Sequence, residues 1–92
     1  MRKIVKGKIY DTDTAKHLGR YTWYDSNVSH WQVEDIYLKK TGEFFMEENV
    51  CDPERGGKIY AITPIKIEYA KNVLEKVLRV EEYEILFGKI EE

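Results

Sequence analysis

The chain has 92 residues, of which 42% are hydrophobic and 35% charged, with a formal net charge of −2 at neutral pH. This length holds a single domain, residues 1–92, and excludes two; the composition excludes disorder, and the slight acidity excludes a global attraction to nucleic acid. The lone cysteine, Cys51, excludes an internal disulfide framework and a cysteine-based zinc site.

Residues 3–10 are β-branched and aromatic around Gly7, which reads either as one kinked strand or as two short strands turning at Lys6-Gly7. Asp11-Thr12-Asp13-Thr14 offers side-chain acceptors to backbone N–H groups. It reads as a turn and then a helix N-cap, opening a short helix near 12–18 that Gly19 closes. Arg20 to Tyr24 returns to strand character, and Asp25-Ser26-Asn27 is a turn. Trp31 to Lys40 is a strand in which Glu34 and Asp35 break strict alternation. Lys40-Thr41-Gly42-Glu43 is a hairpin signal, with Ile36, Tyr37 and Leu38 before it and Phe44, Phe45 and Met46 after it.

Glu47 to Gly57, with Asp52-Pro53 and Gly56-Gly57, reads as a loop, and Lys58 to Ile62 as a last strand. Thr63-Pro64 has the form of a helix start, Thr as N-cap and Pro at the first helical position. Beyond it Ile65, Tyr69, Ala70, Val73, Leu74, Val77 and Leu78 fall on one stripe at helical spacing, with charged residues opposite. A shorter helix, 80–87, ends at Gly88. Strands grouped before a terminal helix imply an α+β domain. The expectation is an antiparallel sheet of about 4–5 short strands, a meander of hairpins, packed against the C-terminal amphipathic helix.

Chemistry is harder to find. His17 and His30 are the only histidines and lack metal-ligand spacing, so no metal site is expected. Cys51 beside Asp52 is a poor thiolate, which weakens a Cys51–His30 pair as nucleophile and base. The pairs Asp11/Asp13 and Glu34/Asp35 are the acid–base candidates, but the first reads better as a cap and neither has an evident electrophile. No phosphate loop or nucleophile elbow is present; Arg55-Gly56-Gly57-Lys58 reads as a turn before a strand. No catalytic residue, cofactor or enzymatic activity is expected.

Two surfaces stand out as binding candidates. Tyr21, Trp23, Tyr24, His30 and Trp31 crowd around a polar turn, and a small domain cannot hide them all. Trp23, Tyr24 and Trp31, with the acids Glu47, Glu48 and Asp52 from the base-free stretch Glu43–Glu54, are the partner-binding candidates. The alternative is a basic, aromatic face of Lys3, Lys6, Lys8 and Tyr21 that stacks nucleic acid bases. A basic N-terminal segment and an acidic C-terminal one also suit self-association as a homodimer. No apolar run reaches the roughly 18 residues of a membrane helix and no secretory signal pattern is visible, so the chain reads as cytoplasmic, without membrane contact.

Three blocks resemble a family of small bacterial proteins common in Firmicutes and often carried on prophages and integrative elements. Residues 6–15 are similar to its opening "GKxYDTDTA", residues 35–45 to "xLYRKKTGEYFL", and residues 82–88 to "DEYEEIFGE". The blocks keep their order and span nearly the whole chain. The resemblance implies an anti-defence role, since some such proteins are associated with inhibition of type II CRISPR nucleases, and it offers no catalytic residue to carry over. After Phe45 this chain departs from the family's Gly-rich "GEGG" loop, carrying Glu47 to Asp52 instead. The function expected is thus a non-enzymatic protein-binding module of mobile-element origin, with a CRISPR effector nuclease as one candidate partner.

Overall fold

A computed structural model describes residues 1–27, 29–49 and 61–90 in full, and the strand backbone of 50–52 and 57–60. Six strands precede two helices: β1 (Arg2–Val5), β2 (Lys8–Asp11), β3 (Lys16–Asp25), β4 (His30–Leu38), β5 (Phe44–Asp52), β6 (Gly57–Ile65), α1 (Ile67–Val77) and α2 (Val80–Phe87). The strands form a two-stranded hairpin, β1-β2, and a four-stranded antiparallel meander in the order β3-β4-β5-β6. The expected α+β class, antiparallel pairing and C-terminal helix are all present.

Of the two readings open for residues 3–10, the hairpin is the one adopted. Lys6 (φ 51°) and Gly7 (φ 78°) turn the chain between Val5 and Lys8, whose backbones pair. Two successive positive φ angles give a turn whose twist matches the strands it joins.

The four-stranded sheet is covered on both faces. On one, Ile36 and Met46 meet Ala70, Val73 and Leu74 of α1, with Phe44, Val77, Leu78 and Phe87 around them. On the other, Phe45 and Ile62 meet Tyr10 of the hairpin, with Val5, Ala15 and Tyr37 alongside. Successive side chains of a strand point to opposite faces, so a strand covered twice reads as a continuous apolar run. That is why Phe44-Phe45-Met46 shows no alternation. Phe45, Ile36 and Leu74 are the largest fully buried side chains, each stabilising by about 1.5–3 kcal/mol relative to exposure. Gly19 sits where α1 comes closest: a Cβ there would lie 3.0 Å from Leu74 Cδ2 and 3.1 Å from Val77 Cγ2.

Three local expectations are corrected. No helix forms near 12–18. The Asp11 carboxylate instead accepts the Asp13 N–H at 2.9 Å and the Ala15 N–H reaches the Asp11 carbonyl at 3.0 Å, a single turn that goes no further. A helix of five residues cannot repay its nucleation, whereas pairing with β4 from Lys16 onward gives each residue a partner. Second, the loop expected from Glu47 is strand as far as Asp52, paired with β4 and β6, and β6 resumes at Gly57; residues 53–56, and with them most of the Arg55–Lys58 turn, lie outside the described residues.

Third, Thr63-Pro64 does not start the helix. Pro64 is still in β6, opposite Phe45, and α1 begins after Lys66. β6 is an edge strand, and an edge tolerates a residue without an N–H. Ile65 therefore belongs to β6, though it still packs into the core beneath the helices. Tyr69, placed on the apolar stripe, is 40% exposed and its hydroxyl donates to Glu34 at 3.3 Å. The second helix ends as expected, the Gly88 N–H donating to the Glu84 carbonyl at 2.8 Å, and its first turn is fixed by the Arg79 N–H donating to Glu82 at 3.0 Å. No helix among the described residues is long and apolar enough to cross a membrane.

Candidate functional site

The hairpin covers only part of its face of the meander. Beyond it, strand register lays out three cross-strand rows on the same face: Arg20–Asp35–Glu47, Thr22–Val33–Asn49, and Tyr24–Trp31. The open face therefore runs from charged groups beside the hairpin to an aromatic tip at the far end of β3 and β4.

Tyr24 and Trp31 form the tip. Their rings meet edge to face, centroids 5.4 Å apart, and they stay 51% and 59% exposed. The Asp25 carboxylate accepts the Asn27 N–H at 3.0 Å and so tightens the turn that brings the two rings opposite each other.

At the charged end, Asp35 is the only polar or charged side chain that is buried among the described residues, at 3% exposure. Its Oδ1 accepts from Arg20 Nε at 2.9 Å and lies 2.7 Å from His17 Nε2. The Tyr37 ring stands edge-on to His17 at 5.1 Å. The hydrogen bond to Asp35 raises the Arg20 guanidinium further above its ordinary pKa. Burial raises the Tyr37 hydroxyl, and the nearby Glu47 and Asp35 carboxylates add to that rise. A carboxylate bound to one imidazole nitrogen orients the ring, as in proton-transfer dyads. Here the same oxygen also holds a guanidinium, so the arrangement ties β3 to β4 and presents Arg20, with a 63% exposed side chain, on the same face as the aromatic tip. Among the described residues no group of three or more His, Cys, Asp or Glu is placed to hold a metal ion.

The sequence candidates divide over several surfaces. Tyr24, Trp31 and Glu47 share the open face. Trp23 points to the opposite face, half-buried, and so does Glu48, because adjacent strand residues alternate. Asp52 ends β5, and its side chain, like that of Cys51, lies outside the described residues. Lys3, Lys6 and Lys8 are all on the hairpin, with Lys8 held to Glu43 at 3.0 Å. Tyr21 lies on the helix side of the meander, where Lys76 Nζ stands 5.1 Å over its ring. The lysines and Tyr21 therefore do not form one basic, aromatic face. His30 pairs with Asp25 at the end of the β3–β4 ladder, on the side away from Tyr24.

Sequence reasoning named His17 and Asp35 separately and missed Arg20. The available signal was an acid directly before a fully buried Ile36, in a strand covered on both sides, which requires a cationic partner. Compared with known proteins, the chain matches no family model, no curated protein and no solved structure, so the meaning of this face rests on its own geometry.

Proposed function

We propose that this is a small, non-enzymatic protein-binding module that engages its partner through the open sheet face around Arg20, Tyr24 and Trp31. The observation that carries the reading is the exposure of Tyr24 and Trp31, packed against each other on the same sheet face as Arg20. Trp, Tyr and Arg are the residue types that dominate interface hot spots, and two large aromatics left in water cost a small domain burial it needs elsewhere. Glu47 adds an acid on the same face. A mobile-element, anti-defence setting comes from the family resemblance, which also supplies a type II CRISPR effector nuclease as the first partner to try.

The test is affinity capture from host lysate, then calorimetric titration of the captured protein, and of a purified type II effector nuclease, with wild type, Tyr24→Ser and Trp31→Ser. Hot-spot loss weakens binding by at least about thirtyfold, the equivalent of about 2 kcal/mol, while the far-ultraviolet spectrum is unchanged. Equal affinity of the variants and wild type would sink this reading. Binding of single-stranded DNA that falls steeply with salt would replace it with nucleic-acid recognition.

A further inference from the structure

The meander has two outer edges, and the chain treats them differently. β6 carries Pro64, which interrupts the row of edge donors, and the β1-β2 hairpin lies against it, Val5 and Tyr10 packing with Ile62. β3 carries no proline, and no hairpin among the described residues lies against its outer side; α1 packs on its helix face, with Leu74 and Val77 at Gly19 and Lys76 over the Tyr21 ring. From Gly19 to Asp25 it is a regular extended run, Gly-Arg-Tyr-Thr-Trp-Tyr-Asp, with no proline. No strand among the described residues pairs with its outer side. At the beginning of β3, Leu78 and the α2 residues Glu82 and Leu86 line one hollow with Lys16, His17 and Leu18. A register shift between His17 and Gly19 separates that stretch from the regular run.

We infer that two copies of this chain pair through the outer edges of their β3 strands, antiparallel about a two-fold axis at Thr22. The two four-stranded sheets then become one continuous sheet. The run is self-complementary in this register. Thr22 meets its own copy, Arg20 meets Tyr24, Tyr21 meets Trp23, and Gly19 meets Asp25. Exposure alternates strictly from Arg20 to Asp25, so every pair joins residues of the same face. On the open face the guanidinium of Arg20 reaches the exposed Tyr24 ring of the other copy. On the helix face two half-buried aromatics come together, and no pair places like charges opposite.

Neighbouring registers do worse. A one-residue slip sets the helix face of one copy against the open face of the other. Centring on Tyr21 instead sets Tyr24 against the irregular Leu18, and centring on Trp23 leaves Arg20 without a partner inside the run. The inference shares Arg20 and Tyr24 with the protein-binding reading, but it rests on the backbone edge of β3 and does not need a partner to occupy the open face.

The experiment is sedimentation equilibrium over a concentration series on the full chain, with wild type, Thr22→Lys, Thr22→Glu and an equimolar mixture of the two variants. Thr22 is exposed within one copy, so both variants keep the wild-type far-ultraviolet spectrum. Wild type should have twice the 11.0 kDa mass of the chain. Each variant alone should be monomeric, with like charges set opposite each other, and the mixture should recover the dimer. A wild type that stays monomeric to millimolar concentration overturns the inference. So do variants that still dimerise singly, or folded variants whose mixture stays monomeric. Loss of partner capture in Trp31→Ser with the dimer intact would separate this result from the fate of the proposed function.

Discussion

Phe44 and Phe45 are neighbours in β5 yet belong to different cores. The Phe44 ring lies 6.0 Å from that of Phe87 beneath the helices, while Phe45 is fully buried under the hairpin, 5.4 Å from Tyr10 and 5.1 Å from Tyr37. The hairpin is thus a structural layer, since without it Phe45 would face water.

Phe45→Ala should cost about 3–5 kcal/mol, read from the urea midpoint and slope. Phe44→Ala, at a half-buried site, should cost clearly less. If the two variants were equally destabilised, or their order reversed, the hairpin would not be sealing a core.

One oxygen of Asp35 holds two exposed side chains, the Arg20 guanidinium at 2.9 Å and the His17 imidazole at 2.7 Å. Asp35→Asn keeps the volume and loses the charge, and should cost about 1–3 kcal/mol. His17→Ala and Arg20→Ala each leave one donor on the buried carboxylate, whereas the double variant leaves none. The double loss should therefore exceed the sum of the single losses in a denaturation cycle at neutral pH. Strict additivity would mean that the two side chains do not share Asp35 as an acceptor.

The Glu43 carboxylate accepts from Lys8 at 3.0 Å, Thr41 at 3.0 Å and Lys39 at 3.3 Å. The Lys8 hydrogen bond, followed by those of Thr41 and Lys39, holds its pKa down to about 2, from an ordinary 4.5. A folded-state pKa below the unfolded one gives stability that is complete above about 4.5 and disappears as pH falls through about 2. Glu43→Gln should then melt below wild type near neutrality and merge with it at the acid end. Thermal midpoints across this pH range decide the matter; a constant gap between the two curves would show that the Glu43 carboxylate is not the group titrating.

Much of the fold was legible because its determinants are local. The Gly42 hairpin, the α1 stripe of Ala70, Val73 and Leu74, and the Gly88 stop each depend on residues within a few positions of one another, whereas Lys6-Gly7 allowed both a kinked strand and the turn that forms. Local signals failed where a distant strand outcompeted them. Thr63-Pro64 has the form of a helix start, but pairing with β5 holds it in an edge strand. Asp11 to Thr14 makes its turn, and β4 then claims the residues that would have continued it. Glu47 to Asp52 is polar enough for a loop, yet is flanked by strands on both sides.

The sequence by itself determined the class of fold, the hairpin turn at Gly42 and the aromatic surplus around Tyr24 and Trp31. Only the tertiary structure decided which of those aromatics share a face, that Glu47 and Glu48 part company, and that His17, Arg20 and Asp35 meet across 15 to 18 positions of chain. Composition is additive along the chain. The face that a side chain occupies depends on strand register, and register is fixed by contacts between residues that the sequence keeps far apart.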